Sequence, residues 1–192
     1  MKPIMPIAMI SVLWLPAGMA EQWWQEVDES SNLNFTAEQQ GAAFEGRFEQ
    51  FESHICFDPS EAELGYIKTI IDLTSVNTES AERDEQLPQS DWFHTEKWPQ
   101  AMFETSSIKA NGDGYIAQAN LTIRDQTKPV EFHFKFSIDE DTQSASLTGS
   151  AILKRLDFGV GQGDWASTEW IADEVIINTQ LKLVKIKEHN LN

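Results

Sequence analysis

Apolar residues in this chain return at every second position, and that period constrains the fold more than any other feature. Val130, Phe132, Phe134, Phe136 and Ile138 alternate with Glu131, His133, Lys135 and Ser137. A period of two puts successive side chains on opposite faces of a strand, so this strand has one apolar face and one wet face. The same rhythm runs through Leu33, Phe35 and Ala37, through Phe44, Gly46 and Phe48, and through Ile67, Thr69, Ile71 and Leu73. It continues in Tyr115, Ala117, Ala119, Leu121 and Ile123, then in Ala145, Leu147, Gly149, Ala151 and Leu153, and returns in Val175, Ile177, Thr179, Leu181 and Leu183. Turn residues separate the runs: Gln40-Gly41, Asp58-Pro59, Asn111-Gly112, Asp125-Gln126 and the stretch Asp139 to Thr142. The pattern predicts about eight strands joined by short links, a meandering antiparallel sheet. Its apolar face must be buried, either against a second sheet or by closure into a barrel. Alternation alone does not choose between these.

One segment breaks the rhythm. Thr78 to Lys97 is polar, and Glu79 to Leu87 reads as two helical turns with Thr78 as N-cap and Pro88 as the stop. Its apolar residues are too few for a core helix, so it is expected to lie as a cap across one end of the sheet.

Residues 1–20 read as a cleaved secretory signal: Lys2 is the only charge, an apolar run extends from Ile4 to Leu15, and Gly18 and Ala20 are small. As a membrane anchor the run is too short and is interrupted by Pro3, Pro6 and Pro16. The expected mature domain is 21–192, delivered to the periplasm. The net charge of −17, from 31 acidic against 14 basic residues, repels nucleic acid and anionic lipid surfaces and excludes nucleic acid as a partner. Cys56 is the only cysteine, so no internal disulfide forms. A domain of this length buries enough core without one.

Catalytic chemistry is not legible here. No serine sits in a nucleophile-elbow context. His54 and Cys56 share a strand face and have the spacing of two metal ligands. Ile55 and Phe57 occupy the opposite, apolar face, so His54 and Cys56 are expected to point outward and no metal site is assigned. His133 is expected outward for the same reason, and His94 and His189 fall in loop and tail. Gly159-Val160-Gly161-Gln162-Gly163 lacks the lysine and helix of a phosphate-binding loop. It reads instead as a lip of the barrel, with Trp165 and Trp170 beside it. No catalytic residue and no cofactor is expected.

The segment from Ile71 to Ser106 carries the most specific pattern. It contains Ser75-Val76-Asn77-Thr78, then Arg83-Asp84-Glu85-Gln86-Leu87, then Asp91-Trp92-Phe93, then Pro99-Gln100-Ala101-Met102-Phe103. Gly46-Arg47-Phe48 and Phe57-Asp58-Pro59 precede it. Leu121-Thr122-Ile123-Arg124, Thr127-Lys128-Pro129-Val130, Arg155-Leu156-Asp157-Phe158-Gly159 and Asp173-Glu174-Val175 follow it. In this order the elements resemble the YceI-like family over about Trp24 to Leu183. Pro88 departs from the family's basic residue after the helix leucine. Asp125-Gln126 departs from its Gly-Val, and Asp is expected to take the left-handed turn there.

The resemblance implies an all-β fold: an eight-stranded, antiparallel, lipocalin-like barrel with a short helical cap. Its apolar lumen is expected to take an isoprenoid lipid or a quinone-like amphiphile. It also implies a homodimer and a transient membrane redox partner, such as a b-type cytochrome, acting in trans. A competing role is a stress-linked interaction module with no obligatory ligand. Eight strands enclose a space that is either filled by side chains or holds one slender ligand, and the resemblance favours the ligand. Burying ~400 Å² of ligand surface would supply about 10 kcal/mol before the entropic cost of association. The shared register sends Phe35, Phe44, Phe48, Leu73, Phe103, Leu121, Phe132, Phe134 and Leu147 inward as the lumen wall. Small inward residues (Gly46, Ala117, Ala119, Gly149 and Ala151) are expected to leave a groove, which Phe at Ala119 or Ala151 would close. Arg83, Trp92 and Trp165 are expected at the mouth, near a ligand head group. Arg83 and Asp84 also admit a purely structural role, tying the cap to the barrel.

Overall fold

The computed structural model describes residues 22–27 and 30–186. The proposed signal segment 1–20 lies outside the described residues. Eleven strand segments form one sheet: β1 (Trp23–Glu26), β2 (Asn32–Gln39), β3 (Ala42–Phe48), β4 (Phe51–Cys56), β5 (Tyr66–Asp72), β6 (Val76–Asn77), β7 (Gln100–Asn111), β8 (Gly114–Ile123), β9 (Gln126–Asp139), β10 (Ser144–Lys154) and β11 (Glu174–Ile186). Three pairs are single strands with an interruption. β2 pairs with β3 while β1 pairs with β4, so β1/β2 and β3/β4 are the two arms of one long hairpin. β5 and β6 then pair with β4 and β3 in the same way. The result is an eight-stranded antiparallel meander. It closes because β11 pairs with both β1 and β2. Closure removes the exposed edges that an open sheet of this size would present.

At the interruption the strand ladder is replaced by side-chain chemistry. Glu26 Oε1 accepts the Ser53 amide at 2.8 Å, and Thr179 Oγ1 donates to the Asn32 carbonyl at 3.0 Å.

Alternation is realised as the register demands. Phe132 and Phe134 are buried, whereas His133 and Lys135 are exposed. Lys135 pairs with Asp113, and His133 with Glu131. The β2–β3 turn has positive φ at Gln40 (53°) and Gly41 (78°), the geometry that matches strand twist in a two-residue hairpin.

Three local expectations need correction. In the β8–β9 turn the left-handed residue is Arg124 (φ 58°), not Asp125: of the two central residues of this hairpin only the first takes positive φ, the II′ geometry. The helix α1 runs Ala81–Gln86 with Ser80, not Thr78, at its N-cap position. Glu79 has φ 58°, which prevents the helix from starting there, and Thr78 instead gives its amide and hydroxyl to Asp84 Oδ1 at 2.8 and 2.7 Å. His54 and Cys56 lie on the face opposite Ile55, yet both are buried. Their row explains it: Cys56 sits between its register partners Trp23 and Tyr66, and His54 between Gln25 and Lys68. Burial pushes the Cys56 thiol up to about 11.

Candidate ligand-binding site

The barrel interior is divided into a filled end and an open end. At the filled end Phe57 follows β4 and turns inward. Its ring meets Tyr115 and Phe136 at 4.9 Å and Phe134 at 5.4 Å. Trp24 packs edge-on to Phe136 at 5.6 Å and donates its indole N–H to the Phe57 carbonyl at 2.9 Å. A 3-10 turn, Pro59–Leu64, follows this plug. Phe132 is the boundary, because it stacks on Phe134 and also lines the open part.

Above it lies a cavity of about 270 Å³. Of the residues expected in the lumen wall, Phe35, Phe44, Phe48, Leu73, Phe103, Leu121, Phe132, Leu147 and Ala151 line it. Phe134 and Ala119 do not. Phe134 belongs to the aromatic plug, and Ala119, buried in β8 opposite Val130 of the cavity wall, borders no open space. Ala117 likewise lines no open space. The glycines are not a groove either. A Cβ at Gly46 would lie 2.3 Å from Phe35 Cζ, and one at Gly149 would lie 2.2 Å from Phe132 Cζ. Each glycine is the seat of a phenylalanine ring, and it is this seating that draws the rings to the wall.

The hydroxyls deep in the wall are internally satisfied. Ser53 and Thr69 share a hydrogen bond of 3.0 Å, and Thr179 is bonded to Asn32. The deep wall therefore offers a ligand only apolar contact. At the mouth the cavity is bordered by Ser80, Glu82, Arg83, Gln86 and Leu87 of the cap and by Trp92, Phe93 and Trp165. Arg83 lies over the Phe44 ring at 4.4 Å and donates to Thr78 Oγ1 and O at 3.2 and 3.3 Å. It thus ties cap to barrel through a ring and a backbone carbonyl.

The residue that organises the mouth is Arg155, which sequence reasoning placed only within a family motif. Its guanidinium is buried, and all five N–H groups donate to backbone carbonyls. Nε reaches Ala172 at 3.0 Å. Nη1 reaches Val160 and Gly161, both at 3.0 Å, and Nη2 reaches Trp165 and Ile171, both at 2.9 Å. Burial lowers its pKa, and the Asp173 charge partly offsets this. Gly161 must be glycine: its φ is 78°, and a Cβ would meet Arg155 Nη1 at 2.2 Å. Arg124 performs a parallel task, donating from Nη1 to the carbonyls of Ser90, Trp92 and Gly159. The Asp91 carbonyl accepts from the amides of Gly161 and Gln162 at 2.7 and 2.8 Å. The glycine-rich lip is therefore stapled to the cap. The detectable signal was an arginine at a strand end, opening the short motif Arg155-Leu156-Asp157-Phe158-Gly159. Among the described residues no cluster of three or more metal-ligating side chains occurs.

Comparison with known proteins agrees with this architecture. The family profile of the YceI-like domain matches residues 24–183. The chain belongs to the YceI-like family. A UPF0312 protein of Pseudomonas aeruginosa is 38% identical over 119 residues, covering 60% of this chain and 62% of the relative. The chain therefore spans less than two thirds of that relative's length. Among solved structures, Burkholderia cenocepacia BcnA superposes with a TM-score of 0.78 at 29% identity, covering 82% of this chain and 98% of BcnA. A Campylobacter jejuni YceI protein gives 0.64 at 26% identity, covering 74% and 85% of the two chains. A polyisoprenoid binding domain from Saccharophagus degradans gives 0.64 at 16% identity, over 85% and 98%, a likeness of fold alone. A YceI-like barrel with half its interior open is suited to holding a lipid.

Proposed function

We propose that this protein is a periplasmic carrier that sequesters the tail of an isoprenoid lipid or quinone-like amphiphile, without catalysing a reaction. The observation that carries the reading is the open half of the barrel. Its walls are aromatic and aliphatic, its few hydroxyls are engaged with one another or with backbone, and its mouth alone is polar. A volume of about 270 Å³ lies just below the usual range of ligand sites, ~300 to 1,000 Å³. It suits a slender chain lying end-on, with the polar head toward the cap. The polyisoprenoid-binding relative of the same fold lends support to the ligand class.

The test is a titration of a long-chain quinone or polyprenol into wild type and Ala151→Phe. Ala151 lines the cavity, so a phenyl ring there should abolish binding while the barrel stays folded. Equal binding by both proteins would remove the cavity as the site. Native mass spectrometry of protein taken from the periplasm of its own host would show the bound lipid and whether two copies associate.

A further inference from the structure

The cap over the cavity has two halves, held by different means. From Leu87 onward it is anchored. Leu87 packs on the core, its carbonyl accepts the Phe93 amide at 2.9 Å, and Trp92 and Phe93 are buried. Arg124 and the Asp91 carbonyl bind this half to the glycine-rich lip. The half before it, Glu79 to Gln86, is built otherwise. None of the six residues of α1 is buried. The side chains that this half turns to the cavity, Ser80, Glu82, Arg83 and Gln86, are all polar. A surface helix is ordinarily held down by an apolar stripe facing the core. This one lays a polar face over an apolar cavity, so burial contributes little to keeping it there.

What holds it is a small latch centred on Thr78, which is 3% exposed just past the end of β6. Asp84 Oδ1 accepts from the Thr78 amide and hydroxyl at 2.8 and 2.7 Å. Arg83 donates to Thr78 Oγ1 and O and covers the Phe44 ring. The Arg47–Glu79 ion pair adds little, because both partners are exposed. Inside the segment the Asp84 and Leu87 amides donate to the Ser80 and Arg83 carbonyls, each at 2.9 Å. A helix this short is not stable by itself. Glu79, at φ 58°, holds a conformation unfavourable for a residue with a Cβ, and opening relieves it. Few buried apolar contacts and exposed backbone bonds mark the segments that open locally while the rest of a domain stays folded.

We infer that Glu79–Gln86 is the gate of the cavity: it lifts when the Asp84–Thr78 latch breaks, the half from Leu87 onward stays in place, and the ligand passes beneath it. The inference rests on the carrier reading and adds the route to it. Neither Asp84 nor Thr78 lines the cavity. Loosening the latch should therefore raise entry and exit together and leave affinity nearly unchanged, which loss of a ligand contact would not do.

The experiment is stopped-flow binding of a C20 prenyl alcohol, read by displacement of a fluorescent alkyl probe, in wild type, Asp84→Ala and Thr78→Val. Asp84→Ala removes two hydrogen bonds to a carboxylate and should raise both the association and the dissociation rate by about tenfold or more. Kd should stay within about threefold. Thr78→Val keeps its amide bond to Asp84 and should give a smaller rise in the same two rates. In wild type, the Asp84 and Leu87 amides should exchange hydrogen faster than those of Phe93 and Gly161. Unchanged rates in Asp84→Ala would overturn the gate and leave the carrier reading standing. Faster release with unchanged entry would also overturn it, since the cap would then be a ligand contact. If wild type bound no alcohol the carrier reading would fall, and slow exchange at Asp84 would remove the opening as well. Should Asp84→Ala fail to fold, Thr78→Val and the wild-type exchange pattern decide.

Discussion

Replacing Arg155 by lysine keeps the charge and nearly the length, yet it should open the mouth. Five carbonyls converge on the guanidinium, those of Val160, Gly161, Trp165, Ile171 and Ala172. An ammonium has three N–H donors, so at least two of the five lose their partner. Hydrogen bonds to a charged donor contribute about 1.5–3 kcal/mol each, which puts the loss at about 3–6 kcal/mol. Carbonyls near the surface, such as that of Trp165, regain water and bring the expectation toward about 3 kcal/mol. For a domain of this size that corresponds to a Tm lower by about 6–12 °C. The effect should be local as well as global. Gly161 and Gln162 amides, now bonded to Asp91, should exchange hydrogen faster in Arg155→Lys, while the β7–β8 ladder keeps its protection relative to global unfolding. Thermal denaturation and native-state hydrogen exchange measure the two parts. A Tm within about 1 °C of wild type with unchanged exchange at Gly161 would refute the argument that these five bonds hold the lip.

Gly46→Ala should force the Phe35 ring off its seat, costing about 1–3 kcal/mol in urea denaturation, and Phe35→Leu in the same chain should recover most of it; full additivity of the two changes would disprove the contact. Ala119→Phe should destabilise the barrel without a selective loss of ligand binding, because Ala119 borders no open space, whereas Ala151→Phe should do the reverse. Stability should fall as pH rises above about 9, since the unfolded chain loses the Cys56 proton near 9 while burial holds the folded thiol up to about 11. Burial and the Glu104 hydrogen bond raise the Tyr66 phenol and act in the same direction. Chemical denaturation at pH 7, 9 and 10 should show this slope, and Cys56→Ser should reduce it; an unchanged slope in that variant would show that Cys56 does not contribute.

By itself the sequence determined most of the strands, the face each presents to the interior, and the family; the first strand, Trp23–Glu26, carried no such signal. All three are written in local order, as a period of two interrupted by turn residues and a run of short motifs. Val130 to Ile138 needs no tertiary information to be read as a strand with its phenylalanines inward. What the interior does with those residues was decided by long-range packing. Phe134 and Phe132 are two residues apart on one face, yet one belongs to a solid plug and the other floors a cavity. The difference is Phe57, brought in from the end of a strand that lies across the barrel from β9. Small residues did not by themselves mark empty space: Ala151 borders the cavity, but Gly46 and Gly149 are occupied by rings from neighbouring strands. Nor could spacing reveal that Arg155 would find five carbonyls. That depends on where separate loops meet above the barrel, and hydrogen-bond satisfaction is a property of that meeting, not of either segment alone.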